Sequence, residues 1–297
     1  MYTLTSALLA AVAIAGSAKY EQNGADWGDL CKYGKEQSPI DLTMGGATDN
    51  GNMELVGYNY YDFKVKTGSG GFSDADYSKT IPFDTDALRK AAELELTFAD
   101  GSQSYFQPLQ FHFHAPSEHT VDGKNMDLEI HFVHTVRGSD TAGNTAAPQA
   151  EMAGAVIGVF FDREAGGNYD NAFLDTVDKA IITKGTASAT TVGVRDFLSR
   201  MDMSQYWSYD GSLTTPPCTE GLKWSVVKQV QPISEAQLLK FTSKLAGDQN
   251  FAKGKGNNRV TMPLNDRTLY MAAATSGATY TAATLSAAAL ALAALSF

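Results

Sequence analysis

All five histidines of this 297-residue chain fall between positions 110 and 134. His112 and His114 are two apart in Gln110-Phe111-His112-Phe113-His114, so on a β-strand both imidazoles point to one face. His131 follows in Glu129-Ile130-His131-Phe132-Val133-His134, where Glu129, His131 and Val133 share an alternation of their own. Three neutral imidazoles converging from two neighbouring strands form a tripod that suits zinc. Three protein ligands leave a fourth position open for chemistry, whereas four would make the ion structural. His119 lies in the intervening segment and His134 has the opposite parity to His131, so both are read as supporting or packing histidines. Metal-bound imidazoles donate their second N–H to a fixed acceptor. Gln110, two before His112, and Glu129, two before His131, stand on the ligands' own faces, where such acceptors belong.

Two strands must carry this cluster, at about 105–114 and 127–136. Pro116-Ser117-Glu118-His119 and the turn pair Asp122-Gly123 join them in a hairpin-like connection. Before them, residues 53–66 hold short β-prone runs broken by Gly68-Ser69-Gly70-Gly71. Residues 84–93 fit a turn or two of helix, and Leu94 to Phe98 alternates as a strand. After them, 138–150 reads as a small, polar loop, and 153–161 as an apolar strand buried on both faces. Residues 169–182 have helical spacing, and 224–230 is β-rich. The capping-box pattern Ser234-Glu235-Ala236-Gln237 opens a helix that ends near Gly247. Residues 19–52 form a turn-rich arm lying on the rest. The fold class is a single, mostly β domain around a large sheet with peripheral helices.

Composition supports a real core, with 43% hydrophobic and 10% aromatic residues. Lys+Arg number 23 against 33 Asp+Glu, a net charge of −10, which argues against nucleic acid or anionic lipid as a partner. Residues 1–18 read as a signal peptide, with an apolar run over 4–15 and small residues before Lys19. At the other end, small residues near Ser276, a polar spacer and the Ala/Leu run from Leu285 to Phe297 resemble a GPI-anchor signal. That pattern implies membrane attachment through a C-terminal lipid, with 271–297 as the tail. The two cysteines, Cys31 and Cys218, are expected to pair in an exported, secreted or cell-surface chain. Closing so long a loop contributes at most roughly 5 kcal/mol.

Further along, Gly211-Ser212-Leu213-Thr214-Thr215-Pro216-Pro217-Cys218 offers two hydroxyls on a proline-fixed loop. Taken with Gln110 to Gly123, Glu129 to His134, Gln37-Ser38-Pro39-Ile40-Asp41, Asn257-x-Arg259 and Pro263-Leu264-Asn265-x-Arg267, the chain closely resembles the α-class carbonic anhydrases from about Trp27 to Arg267. The resemblance implies a catalytic domain over 19–270 with a mainly antiparallel central sheet. It also implies reversible hydration of CO2 to bicarbonate and a proton by attack of zinc-bound hydroxide. On these positions it makes His112, His114 and His131 the zinc ligands. Thr214 becomes the hydroxyl that donates to Glu118 and accepts from the hydroxide. Val133, Val156, Leu213, Leu222 and Trp224 become the apolar wall for CO2, with Thr215 beside them, and Cys31–Cys218 matches the disulfide of secreted members. Aromatic sulfonamides are the implied inhibitors.

Two departures stand out. Fast members carry a shuttle histidine where this chain reads Val65-Lys66-Thr67-Gly68-Ser69-Gly70, and Val260 and Met262 replace the more usual Pro and Gln. A cupin-type metal oxygenase would need a histidine beyond His134, and none follows. A non-catalytic carbonic-anhydrase-like binding module typically lacks a ligand, and here all three stand.

Overall fold

The alternation that placed the histidines on one face builds the two strands at the centre of the molecule. The computed structural model describes residues 19–43, 48–49, 55–59, 63–64, 81–82, 93–97, 103–136, 152–182, 191–245 and 252–271. The expected leader (1–18), the helical turn ahead of residue 93, the stretch 65–70, the loop 138–150 and the tail beyond 271 lie outside them.

The strands are β1 (Asp41–Leu42), β2 (Thr48–Asp49), β3 (Leu55–Asn59), β4 (Phe63–Lys64), β5 (Ile81–Pro82), β6 (Glu93–Thr97), β7 (Gln103–His114), β8 (Thr120–Val121), β9 (Lys124–Asn125), β10 (Leu128–Val136), β11 (Gly154–Phe161), β12 (Thr191–Val192), β13 (Tyr206–Ser212), β14 (Glu220–Gln231) and β15 (Tyr270–Met271). The helices are α1 (Asp29–Tyr33), α2 (Ala172–Ile182), α3 (Val194–Ser199) and α4 (Glu235–Leu245). The large sheet runs β2-β15-β13-β14-β11-β10-β7-β6-β3, with β5 also on β7. Its pairs are antiparallel except β11 with β14 and β15 with β2, as expected of a mainly antiparallel sheet.

Period-two alternation divides the central strands between two cores. Phe111, Phe113, Ile130, Phe132, Ile157 and Val159 point to one face, where Phe173 of α2, Phe197 of α3 and Phe241 of α4 meet them. Phe173 and Phe197 stack with ring centroids 4.2 Å apart. Fully burying each such aromatic stabilises by about 1.5–3 kcal/mol, so the helices are held to this face. Val133, Val156, Phe160, Trp207, Tyr209, Leu222, Trp224 and Val226 point to the other. No helix is needed there, and that face carries the polar cluster.

Asp122 and Gly123 connect β8 to β9 with φ of 48° and 77°, the double left-handed turn that a two-residue hairpin requires. The capping box at α4 is only half formed. The Ser234 hydroxyl accepts from the Gln237 N–H at 3.2 Å. The Gln237 amide turns instead to the Asn171 carbonyl and to Asp175, tying α4 to α2. Gly211 and Ser212, expected in a loop, finish β13, while Glu220 opens β14, so the true loop is 213–219.

Candidate active site

Register brings the histidines together. His131 lies directly opposite His112 across β10 and β7, Glu129 opposite His114, and Val133 opposite Gln110. Continuing across the sheet, Val133 pairs with Val156, Val156 with Trp224, and Trp224 with Tyr209, one transverse row beneath the cluster. His131 faces Gly158 in the adjoining row, where a methyl group would stand 3.1 Å from Oε1 of Glu129. A glycine there leaves room for that carboxylate.

Candidate ligand nitrogens of His112, His114 and His131 all lie within 4.8 Å of one another. On each ring, one nitrogen is taken by a fixed acceptor. His112 Nδ1 meets Gln110 Oε1 at 2.9 Å, His114 Nδ1 donates to the Asn257 carbonyl at 2.8 Å, and His131 Nε2 donates to Glu129 Oε1 at 2.8 Å. The bare nitrogens are therefore Nε2 of His112 and His114 and Nδ1 of His131. Nε2 of His114 is buried with no hydrogen-bond partner, a state that costs free energy unless something else occupies it. Burial, joined by the neighbouring imidazoles, pushes the pKa of all three rings down, His114 to about 3. Three neutral, converging imidazoles with one orphaned nitrogen fit a zinc ion.

Glu129 saturates its carboxylate. Oε2 accepts from the main-chain N–H groups of Glu118 and His119 at 2.8 and 2.9 Å, and Oε1 accepts from His119 Nδ1 at 2.7 Å as well as from His131. Burial pushes its pKa up, but the two histidines outweigh burial and hold it well below the carboxylate range. His119 continues through Nε2 to the Tyr209 hydroxyl at 2.6 Å, and Tyr209 reaches Ser38 Oγ at 2.9 Å. His134, of opposite parity, is buried away from the cluster and meets the Ala155 carbonyl at 3.1 Å.

Glu118 is wholly buried, and its Oε1 accepts from the Arg259 N–H at 2.8 Å. Burial raises its pKa well above the usual range. The nearby Thr214 hydroxyl and the Arg259 N–H oppose that rise, although Oε2 has no well-formed hydrogen bond. Val133, Val156, Leu222 and Trp224 are buried in one apolar cluster with Leu213 packed on its edge. Thr214 is buried and Thr215 half-buried beside it. Cys31 and Cys218 form a disulfide across 187 residues, with Cys218 inside the 213–219 loop that carries Thr214. Ser38, Tyr209, Asn257 and Arg259 also take part. The motifs of Ser38, Asn257 and Arg259 carry the resemblance and Tyr209 lies outside them, but no local pattern assigned any of the four to His119, His114 or Glu118.

Residues 22–273 match the profile of the family described as eukaryotic-type carbonic anhydrase. The chain belongs to that family. It is an enzyme of the class, acting at the family level on CO2 and bicarbonate. A carbonic anhydrase of Klebsiella pneumoniae is 31% identical over 275 residues, 90% of this chain and 95% of its own. Among solved structures, a halotolerant carbonic anhydrase from Dunaliella salina superposes with a TM-score of 0.63 at 25% identity, covering 86% of this chain and 97% of that one. The Thermovibrio ammonificans α-carbonic anhydrase in complex with the inhibitor sulfanilamide gives 0.54 at 31% identity, over 81% and 89%. In this carbonic anhydrase one face of the sheet packs against α2, α3 and α4, and the other carries the polar cluster beside the second apolar core.

Proposed function

We propose that this chain binds one zinc ion through His112, His114 and His131 and catalyses reversible hydration of CO2 to bicarbonate and a proton. The observation that carries the reading is the set of three neutral imidazoles whose candidate ligand nitrogens lie within 4.8 Å, with Nε2 of His114 orphaned and buried. Zinc held there supplies a Lewis acid that brings ionisation of water to about pH 7, a value for which carbonic anhydrase is itself the reference case.

The chain's own residues do the rest. Gln110, Glu129 and the Asn257 carbonyl fix which nitrogen of each imidazole carries its proton, so the donor set exists before any ion arrives. Positive charge at the cluster favours the ionised form of Glu118. An ionised Glu118 commits the Thr214 hydroxyl as a donor, leaving its lone pairs to accept from the attacking oxygen and aim that oxygen at carbon. CO2 carries no charge, so it needs an apolar slot, and Val133, Val156, Leu213, Leu222 and Trp224 supply one from which water is excluded, with Thr215 at its edge. The disulfide supports an exported setting, with the leader cleaved before Lys19 and the tail serving as a lipid anchor signal. Aromatic sulfonamides are proposed inhibitors, as sulfanilamide is of the Thermovibrio enzyme.

Metal analysis with a CO2-hydration assay tests this. The wild-type chain is expected to hold about one zinc per chain and to be active, and His131→Ala to lose both. A metal-replete, active His131→Ala protein would overturn the ligand assignment. A zinc-replete but inactive wild type would favour a binding module instead.

A further inference from the structure

The Asn258–Arg259 peptide is gripped from both sides. Its N–H donates to Oε1 of Glu118 at 2.8 Å, and its carbonyl accepts from Nδ2 of Asn23 at 2.9 Å. A trans peptide points these two groups in opposite directions, so a hold on the carbonyl aims the N–H. Asn23 Nδ2 also reaches Oδ1 of Asn258 at 3.0 Å, and the Asn23 carbonyl accepts from the Val260 N–H at 2.9 Å. One peptide earlier, the Asn257 carbonyl takes the Nδ1 proton of His114. The segment 257–260 thus faces the site with one carbonyl and one N–H, and faces Asn23 with the alternate pair.

Asn23 is shaped for the task. It sits at φ 51°, followed by Gly24 at 76°, in a turn closed by its own N–H on the Tyr20 carbonyl at 3.1 Å. Asparagine tolerates this left-handed conformation better than most residues. The departure at Val260 also gains a use, because a proline there would have no N–H to give Asn23. A separate exposed tie, Glu21 with Lys253 at 2.6 Å, attaches the same arm without touching the 257–259 peptides.

We propose that Asn23 is a positioning residue for Glu118 and His114, acting through the 257–259 backbone. The inference rests on the roles given to those two residues above. The test compares full-length wild type with Asn23→Gly, which keeps the left-handed backbone and the carbonyl but loses the side-chain amide. Glu21→Ala serves as a control for loosening the arm alone.

Three readings are taken: amide hydrogen exchange at Arg259 in the metal-free protein, the rate of zinc release to a chelator, and kcat with KM for CO2 hydration. In Asn23→Gly, Arg259 exchange and zinc release should each accelerate, and kcat fall, by about fivefold, as expected for one lost neutral hydrogen bond. KM should hold, and Glu21→Ala should match wild type. Unchanged Arg259 exchange and zinc release in Asn23→Gly would overturn the proposal, as would the same losses in Glu21→Ala. If the wild type proves inactive toward CO2, the reading of its function fails, while the exchange measurement still decides the role of Asn23. Should Asn23→Gly not fold, Asn23→Asp, of the same size and equally tolerant of the backbone, takes the same measurements.

Discussion

At the residue scale, Glu129 is the most constrained side chain of the site, because all four of its hydrogen-bond partners are donors. Glu129→Gln must turn its amide N–H2 toward either two main-chain N–H groups or two imidazoles. Facing donors with donors costs about 2–3 kcal/mol. Facing the imidazoles instead moves the His131 proton to Nδ1, removing a ligand nitrogen, and weakens zinc binding by about 10–100-fold. Urea unfolding of the metal-free variant and chelator competition measure the two costs. The pH dependence has a definite sign, since the folded pKa of Glu129 is depressed. Its stabilisation is full above the unfolded carboxylate value of about 4.3 and is lost as pH falls toward the folded value. The glutamine variant should lack that acid-dependent loss. Gln110 and Glu129 were legible in the sequence because parity alone puts i−2 on a ligand's face. Asn257 and Arg259 serve His114 and Glu118 through main-chain atoms, 143 and 141 residues away. A backbone contact leaves no mark on residue type, so spacing could not reveal it.

The decisive elements are β7 and β10, and both were readable, because aromatic and apolar residues alternate with the polar ones along each. β11 was readable for the opposite reason, an unbroken apolar run buried throughout. β13 was not. Its Ser208, Asp210 and Ser212 interrupt any apolar pattern, and its buried polar groups bond to the distant Ser38 and across the sheet. The short α1 and α3 were missed too, being five and six residues long and held by packing rather than periodicity. β13 and β14 together hold the Thr214 loop, and they close tightly at Gly211. A methyl group there would stand 2.8 Å from Trp224 Cδ1 and from Tyr209 Cε2, and press on the Ser38 hydroxyl. Gly211→Ala is therefore expected to cost about 1–3 kcal/mol by overpacking. Thermal unfolding should show the loss, and an unchanged melting temperature would mean that the strand pair shifts freely.

Across the whole molecule, the fold class was legible because length, strand runs and helical spacing all pointed to one large sheet with peripheral helices. The pairing of its two faces with two different tasks was not, since that depends on which strands become neighbours. Histidine usage has a consequence at this scale. Three of the five form the cluster, and His119 and His134 are fully buried, which leaves none to carry protons from the cluster to solvent. Turnover is expected to rise with imidazole buffer concentration until another step limits, as read by stopped-flow hydration at constant ionic strength. Buffer-independent turnover would show that a route through other groups exists. The distance along the chain between the histidines and their backbone partners also has a temporal side. During synthesis at roughly 5–20 residues per second, His114 precedes the Asn257 carbonyl by 143 residues, on the order of ten seconds. For that interval His114 exists without the carbonyl that sets its proton, so the donor set proposed for zinc is complete only at the end of the chain's making and not in its middle.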